Sequence, residues 1–244
     1  MTDVEAETRG SLGTVRNAAA LLHLLGEGPA YQQLTDLADR SGLSLPTVHR
    51  LLRSLTLAGL VEQDPRSARY GLGAELVRLS HRYLNRLPVL AALSPYLAPV
   101  RDTIGVSVHV VLYTRGWISY VDRAEGADSG LYREPHRVAP ALHSAAGRLL
   151  AARTDDAGWE LALAQVPEEE RAEAVAQREA WRIATHLTLP DADGTIEVAV
   201  PVLDGDGGAA AALVAVVGDD DHAAKAVTHL SRVAQATGRT LGHG

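Results

Sequence analysis

SGLSLPTVHRLLRSLTLAGLVEQDPRSARYGLG, residues 41–73, decides how the first part of the chain folds. Ser44 offers an oxygen where a helix N-cap is wanted, and Pro46 falls in the first turn, where its missing N–H costs nothing. Val48, Leu51, Leu52 and Leu55 follow at the i, i+3, i+4, i+7 spacing of one buried face, and Gly59 closes the helix. Off that face stand Thr47, His49, Arg50, Arg53 and Ser54, donors at every step with no acid among them. Val61, and later Tyr70 and Leu72, read as two short strands around the turn Asp64-Pro65-Arg66-Ser67. Arg66 and Arg69 stand at or near the tip of that hairpin.

Working upstream, Leu34, Leu37 and Ala38 mark a short helix ended by Ser41-Gly42. Before it, Leu12, Val15, Ala19 and Leu22 recur at helical spacing, Ala18, Leu21 and Leu25 widen the stripe, and Gly26, Gly28 and Pro29 stop the helix. Two helices joined by a short turn containing Gly42 have the geometry of a helix-turn-helix, whose second helix can enter a major groove. The hairpin that follows makes it a winged helix. Arginine can read guanine with two hydrogen bonds or pair with phosphate, and Thr and His can contact either. Ser44, Thr47, His49, Arg50 and Arg53 are therefore the candidate groove contacts, with Arg66 and Arg69 as candidate contacts through the wing.

These residues resemble the IclR family of bacterial transcription regulators. Residues 41–73 carry, in order and spacing, elements similar to the family's Gly-Leu, Thr-Val-His-Arg-Leu-Leu, Ala-Gly-Leu-Val and Tyr-x-Leu-Gly. APALHSAAGRLLAA (139–152) is similar to its Pro-Leu-His…Gly-Lys…Leu-Ala segment, and VAVPVLDGDGGAAAALVAVVG (198–218) to its Ala-x-Pro-Val-x-Asp hairpin and last strand. Leu45-Pro46 departs from the Lys-Ser that relatives often carry there. The resemblance implies a winged helix-turn-helix domain (9–73), a linker helix (74–87) that helps pair two DNA-binding units, and a GAF-like effector-binding and oligomerisation domain (88–244). It implies a homodimer or tetramer that binds a double-stranded operator under the control of a small-molecule effector.

The charge pattern points the same way. The chain has 244 residues, enough for one large or two modest domains, and a net charge of −7. From Arg9 to Leu87 ten arginines face six acids, whereas from Pro88 onward 13 basic residues face 21 acids. Such asymmetry between halves is a hint that one part meets nucleic acid. Lys225 is the sole lysine; the other 22 basic residues are arginine. There is no cysteine, which removes disulfides, thiolate metal sites, iron–sulfur clusters and cysteine nucleophiles. The longest apolar run, Ala209 to Val217, is far short of the ~20 residues of a membrane span. The acidic, polar N-terminus has no basic flank followed by an apolar stretch, so no secretory signal, no membrane partner and a cytoplasmic address are expected.

Beyond the wing, Leu76, Leu79, Arg82, Tyr83 and Arg86 continue as a helix ending before Pro88. Leu90 to Ile104 reads as helical, broken or kinked by Pro95 and Pro99. Strands are expected at 106–114 and 117–125 around a tight Arg115-Gly116 turn, at Leu131 to Val138, at Thr195 to Leu203 and at Ala209 to Val217, the last of these central and covered on both faces. Helices are expected from Ser144 to Arg153, from Trp159 to Trp181 as one or two pieces, and from about His222 to Leu241. The fold class is thus α+β, with one antiparallel sheet in the second domain.

No hydrolase elbow, phosphate loop or dinucleotide fingerprint is present, and the histidines lack metal-ligand spacing, so no catalysis, metal or cofactor is expected. Asp191-Ala-Asp-Gly fails calcium-loop spacing and reads as a hairpin turn. His109 sits in a strand as a packed, hydrogen-bonded residue. His143 precedes a helix whose first N–H groups, at Ser144, Ala145 and Ala146, could hold an anion. In Thr195–Leu203, alternation turns Ile196, Val198, Val200 and Val202 to one face and Glu197, Ala199 and Leu203 to the other. The resemblance places Glu197 beside the effector cavity; the competing reading is a solvated carboxylate at a sheet edge. The candidate effector contacts are His109, His143, Ser144, Ala145 and Glu197. The alternative from another class is a small-molecule-binding enzyme or sensor whose N-terminal bundle mediates protein contacts only.

Overall fold

The computed structural model describes residues 3–126, 137–191 and 193–242. The chain forms two compact units, one ending at Tyr83 and one beginning at Leu84. The first holds α1 (Asp3–Glu27), α2 (Leu34–Ser41), α3 (Leu45–Leu57), the antiparallel pair β1 (Val61–Gln63) and β2 (Tyr70–Leu72), and most of α4 (Glu75–Leu84). Its core is Leu21 and Leu25 of α1, Leu37 and Ala38 of α2, and Val48, Leu51, Leu52 and Leu55 of α3, closed by Val61 and Tyr70. Gly42, in the left-handed conformation (φ 67°), ends α2 and turns the chain into α3. The end of α1 is tied down by buried Gln32, whose amide donates to the carbonyls of Leu24 (3.0 Å) and Leu25 (3.2 Å), two groups that the helix itself leaves without a partner.

Three details differ from the sequence reading. The buried line of α1 runs through Leu21 and Leu25, while Val15 is 67% exposed and Ala19 lies in solvent, because α2 and α3 cover a narrower strip than the apolar stripe offers. Ser44 is the N-cap residue of α3, yet its hydroxyl pairs with the Thr47 hydroxyl (2.8 Å) instead of capping a backbone N–H. The helix α4 stops at Leu84, leaving Arg86 outside it, because Leu87 is pushed to extended backbone (ψ 110°) by the following proline.

The second unit contains α5 (Pro88–Ile104), β3 (Val108–Thr114), β4 (Trp117–Ala124), β5 (Val138–Pro140), α6 (Ala145–Ala152), α7 (Asp156–Leu163), α8 (Glu168–Ile183), β6 (Leu187–Pro190), β7 (Ile196–Leu203), β8 (Ala209–Val217) and α9 (Asp220–Leu241). Its strands form one antiparallel sheet in the order β5-β4-β3-β8-β7-β6. The apolar strand β8 is central: Ala211, Leu213, Ala215 and Val217 pack with residues of α5 and α9, while Ala212 and Val214 pack with α6 to α8. Arg115 (φ 50°) and Gly116 (φ 92°) make the two-residue turn between β3 and β4, the paired positive φ values that match strand twist.

Contrary to expectation, α5 runs unbroken through Pro95 and Pro99. Val89, Leu93, Leu97, Val100 and Ile104 bury one face of it and hold it helical past the missing donors. Leu131–Val138, expected as a strand, lies outside the described residues up to 136; β5 begins only at Val138. The strand β6 went unread: it is four residues at the sheet edge ending in a proline, which an edge tolerates. It makes Asp191–Thr195 a hairpin turn, with the Asp191 N–H bonded to the Thr195 carbonyl at 2.8 Å.

Candidate functional site

Thr47 is half-buried beside the core side of α3, whereas Ser44, His49, Arg50, Arg53 and Ser54 are exposed. Arg50 and Arg53, three residues apart, lie on neighbouring turns of one helix face. Arg66 and Arg69 are exposed on the hairpin. Its tip is shaped by the Asp64 carboxylate, which accepts from the N–H groups of Arg66 (3.1 Å) and Ser67 (3.0 Å) and from the Ser67 hydroxyl. Those contacts hold the Asp64 carboxyl below the usual range, the Ser67 hydroxyl first among them. Among the described residues, none of Arg50, Arg53, Arg66 and Arg69 is in an ion pair. The second unit spends its arginines differently. Arg101, Arg123, Arg171, Arg178 and Arg182 are paired with carboxylates, and Arg153 donates to the carbonyls of Leu149, Trp181 and Ala184.

On the α6 side of the large sheet, a cavity of about 520 Å³ opens among β3, β4, β6, β7, β8 and the start of α6. His109, His143, Ser144 and Glu197 all line it. The register explains the convergence: His109 pairs with Val214 across β3–β8, and Glu197 pairs with Val216 across β7–β8, two residues further along the same face. His109 meets the Tyr120 ring edge-on at 5.6 Å between centroids, and Arg137 lies over the other reach of that ring at 5.8 Å.

Glu197 is at neither a sheet edge nor the solvent face. The edge strand β6 lies outside β7, and the carboxylate turns to the first turn of α6, where Oε2 accepts from Ala145 N (3.2 Å) and Oε1 from Ala146 N (3.3 Å). Ser144 Oγ takes the next N–H, that of Gly147, at 3.0 Å. The open anion position read from the sequence is therefore filled by the protein's own carboxylate, and Ala145, fully buried, presents no free donor to the cavity. Gly147 is what lets this turn form: a Cβ there would stand 1.9 Å from the Ala141 carbonyl oxygen. Burial raises the Glu197 carboxyl above its ordinary range, against the pull of the Ala146 and Ala145 N–H groups and of Arg137 and Arg148. Burial also pushes the Tyr120 hydroxyl up to about 12, aided by the Glu197 charge and opposed by Arg137.

Tyr120, Arg137, Asp191 and Thr195 line the same cavity, and none of them was read from the sequence as a site residue. Alternation from His109 reaches Val111, whose partner across β4 is Tyr120, so the register, once known, supplies the signal for that residue. Arg137, Asp191 and Thr195 lie outside the strands, where no periodicity marks them. A second cavity, of about 510 Å³, lies among β7, the end of α8 and α9, and receives none of the residues singled out from sequence. Among the described residues no helix is long and apolar enough to cross a membrane, and no group of three or more His, Asp and Glu could hold a metal ion.

The sequence profile of the IclR helix-turn-helix domain matches residues 14–65. The chain is 35% identical over 143 residues to the glycerol operon regulatory protein of Streptomyces coelicolor, covering 58% of this chain and 56% of that protein. It spans about half the length of the curated relatives it matches. Among solved structures, an IclR transcriptional regulator from Alicyclobacillus acidocaldarius is similar with a TM-score of 0.72 at 25% identity, over 93% of this chain and 98% of that one. An IclR homologue from Microbacterium hydrocarbonoxydans, complexed with 4-hydroxybenzoate, shares the fold with a TM-score of 0.71 at 19% identity, over 95% and 100% of the two chains.

Proposed function

We propose that the chain is a member of the IclR family and a DNA-binding transcription regulator, a repressor released from its operator by a small molecule. The observation that carries this is the acid-free outer face of α3, where Arg50 and Arg53 stand exposed and outside any ion pair, while Arg101, Arg123, Arg171, Arg178 and Arg182 of the second unit are paired with carboxylates. A guanidinium left without a carboxylate is available to phosphate and to base edges. Ser44, Thr47 and His49 complete the groove-facing set, and Arg66 and Arg69 hold the backbone through the wing. The effector cavity is the one lined by His109, His143, Ser144 and Glu197, with Tyr120 and Arg137 added; its volume is within the ~300–1,000 Å³ of small-molecule sites. The protein acts by binding, without catalysis, as a homodimer or tetramer in the cytoplasm. The relative's name brings polyol-utilisation genes into the set of candidate targets.

The test is binding of the purified full chain to labelled fragments from the intergenic regions beside its own gene, read by fluorescence anisotropy at two salt concentrations. Tight, salt-sensitive binding to one fragment, lost in an Arg50→Ala/Arg53→Ala chain that folds normally, supports the reading. Equal weak binding to every fragment overturns it.

A further inference from the structure

We propose that the cavity on the α6 side of the sheet selects uncharged polyhydroxylated molecules and turns away carboxylic acids, because Glu197 occupies the place where an acid would bind. The proposal rests on the reading of this cavity as a ligand site and names the ligand class it takes.

A helix N-terminus attracts anions through its unpaired N–H groups and its dipole. In this cavity the donors at the start of α6 are already committed. Ala145 N–H and Ala146 N–H go to the two oxygens of Glu197 at 3.2 and 3.3 Å, and Gly147 N–H goes to Ser144. A ligand carboxylate brought here would find those donors used and would meet the Glu197 charge in a desolvated setting, where repulsion between like charges is strong. A hydroxyl meets the reverse situation. A carboxylate has about four lone-pair sites, and two are used by the backbone, so about two remain to accept from ligand hydroxyls. Asp191 adds a second carboxylate to the lining, and Arg137 supplies a donor that cannot be deprotonated. Arg137 also decides between a neutral and a cationic ligand. Its guanidinium already acts as a counter-charge to Glu197, so no ligand ammonium is needed to offset the buried carboxylate. Val214 and Val216 add apolar side chains to the lining for the carbon chain.

The test titrates the full chain by calorimetry, at fixed ionic strength and pH 7.5, with three pairs matched in carbon skeleton: glycerol and glycerate, xylitol and xylonate, sorbitol and gluconate. The expected result is that at least one polyol binds ten times or more tighter than its acid. In Glu197→Ala the same pair should reverse its preference, because the vacated Ala145 and Ala146 N–H groups can then donate to the acid's carboxylate. Glu197→Gln, which keeps the volume and loses the charge, should narrow the gap at least threefold. If the alanine chain does not fold, the wild-type preference and the glutamine variant decide. If, in every pair that binds, the acid binds the wild type as well as its alcohol, the proposal is overturned and the cavity remains a ligand site. Preferences unchanged in the variants overturn it in the same way. Failure of the wild type to bind any member of any pair overturns it together with the ligand-site reading.

Discussion

Arg50 and Arg66 carry the same charge and should behave differently when removed. Arg50 projects from the helix face proposed to enter a groove, so Arg50→Ala should cost on the order of 1–3 kcal/mol on the operator and relax preference at one base pair. Arg66 lies on the hairpin turn, and Arg66→Ala should weaken operator and random DNA by about the same factor while lowering the salt slope by about 1. Equal losses on both DNAs for both variants would take base reading away from Arg50. Glu197 makes a second prediction at this scale. Its carboxyl holds a proton more tightly in the folded chain than at the ordinary value of 4.5, so unfolding releases that proton and rising pH favours the unfolded state. The stability of the wild type minus that of Glu197→Gln should therefore fall as pH rises from about 4.5 through the raised folded value, then level off. His109, His143, Arg137, Arg148, Asp191 and Tyr120 are present in both chains, so they enter the difference only through their coupling to the Glu197 charge. Urea unfolding at a series of pH values measures it, and a difference that grows with pH would contradict the assignment.

At the scale of elements, the parts that were legible are those whose constraints are local. Pro46, the 48–51–52–55 spacing and Gly59 each act within a turn or two, and α3 follows them. Glu197 shows the limit. Alternation correctly separated it from Val198 and Val200, but which element that face meets depends on β6, four residues that carry no strand signal of their own, and on the return of α6 fifty residues upstream in sequence. The stripe of α1 shows the same limit from the other side, since periodicity identifies an apolar face without saying how much of it a neighbour covers. The prolines of α5 were misread because a propensity acting at one position was weighed without the five buried side chains that oppose it. That conflict is measurable. Pro95 is exposed, so Pro95→Ala loses no packing and restores a helix donor; it should stabilise the second unit by on the order of 1–2 kcal/mol, after the entropy returned to the unfolded chain is subtracted. Thermal unfolding followed by tryptophan fluorescence reports this unit alone, because Trp117, Trp159 and Trp181 all lie in it. A lowered midpoint would mean that the helix is bent at Pro95 in a way its packing requires.

For the whole molecule, the uneven charge governs how binding responds to salt. If two protomers make about six phosphate contacts, log K against log[salt] should slope near −5, since each contact releases ~0.9 counterion, and affinity should drop about a thousandfold between 50 and 200 mM. A slope shallower than about −2 would remove the arginine face from the DNA interface. That face has one further property. Every cation on α3 and on the hairpin is an arginine, and the chain's one ε-amine, Lys225, lies exposed on α9 in the other unit. Amine chemistry therefore has no ε-amine to attack among the proposed operator contacts. Acetylation, reductive methylation or succinylation of the native protein should add label at Lys225 and the chain's α-amine and leave operator affinity and its salt slope where they were, whereas a dicarbonyl reagent that attacks guanidinium groups should abolish both. If that face holds the operator as proposed, binding to DNA should persist under conditions in which acyl donors modify exposed lysines.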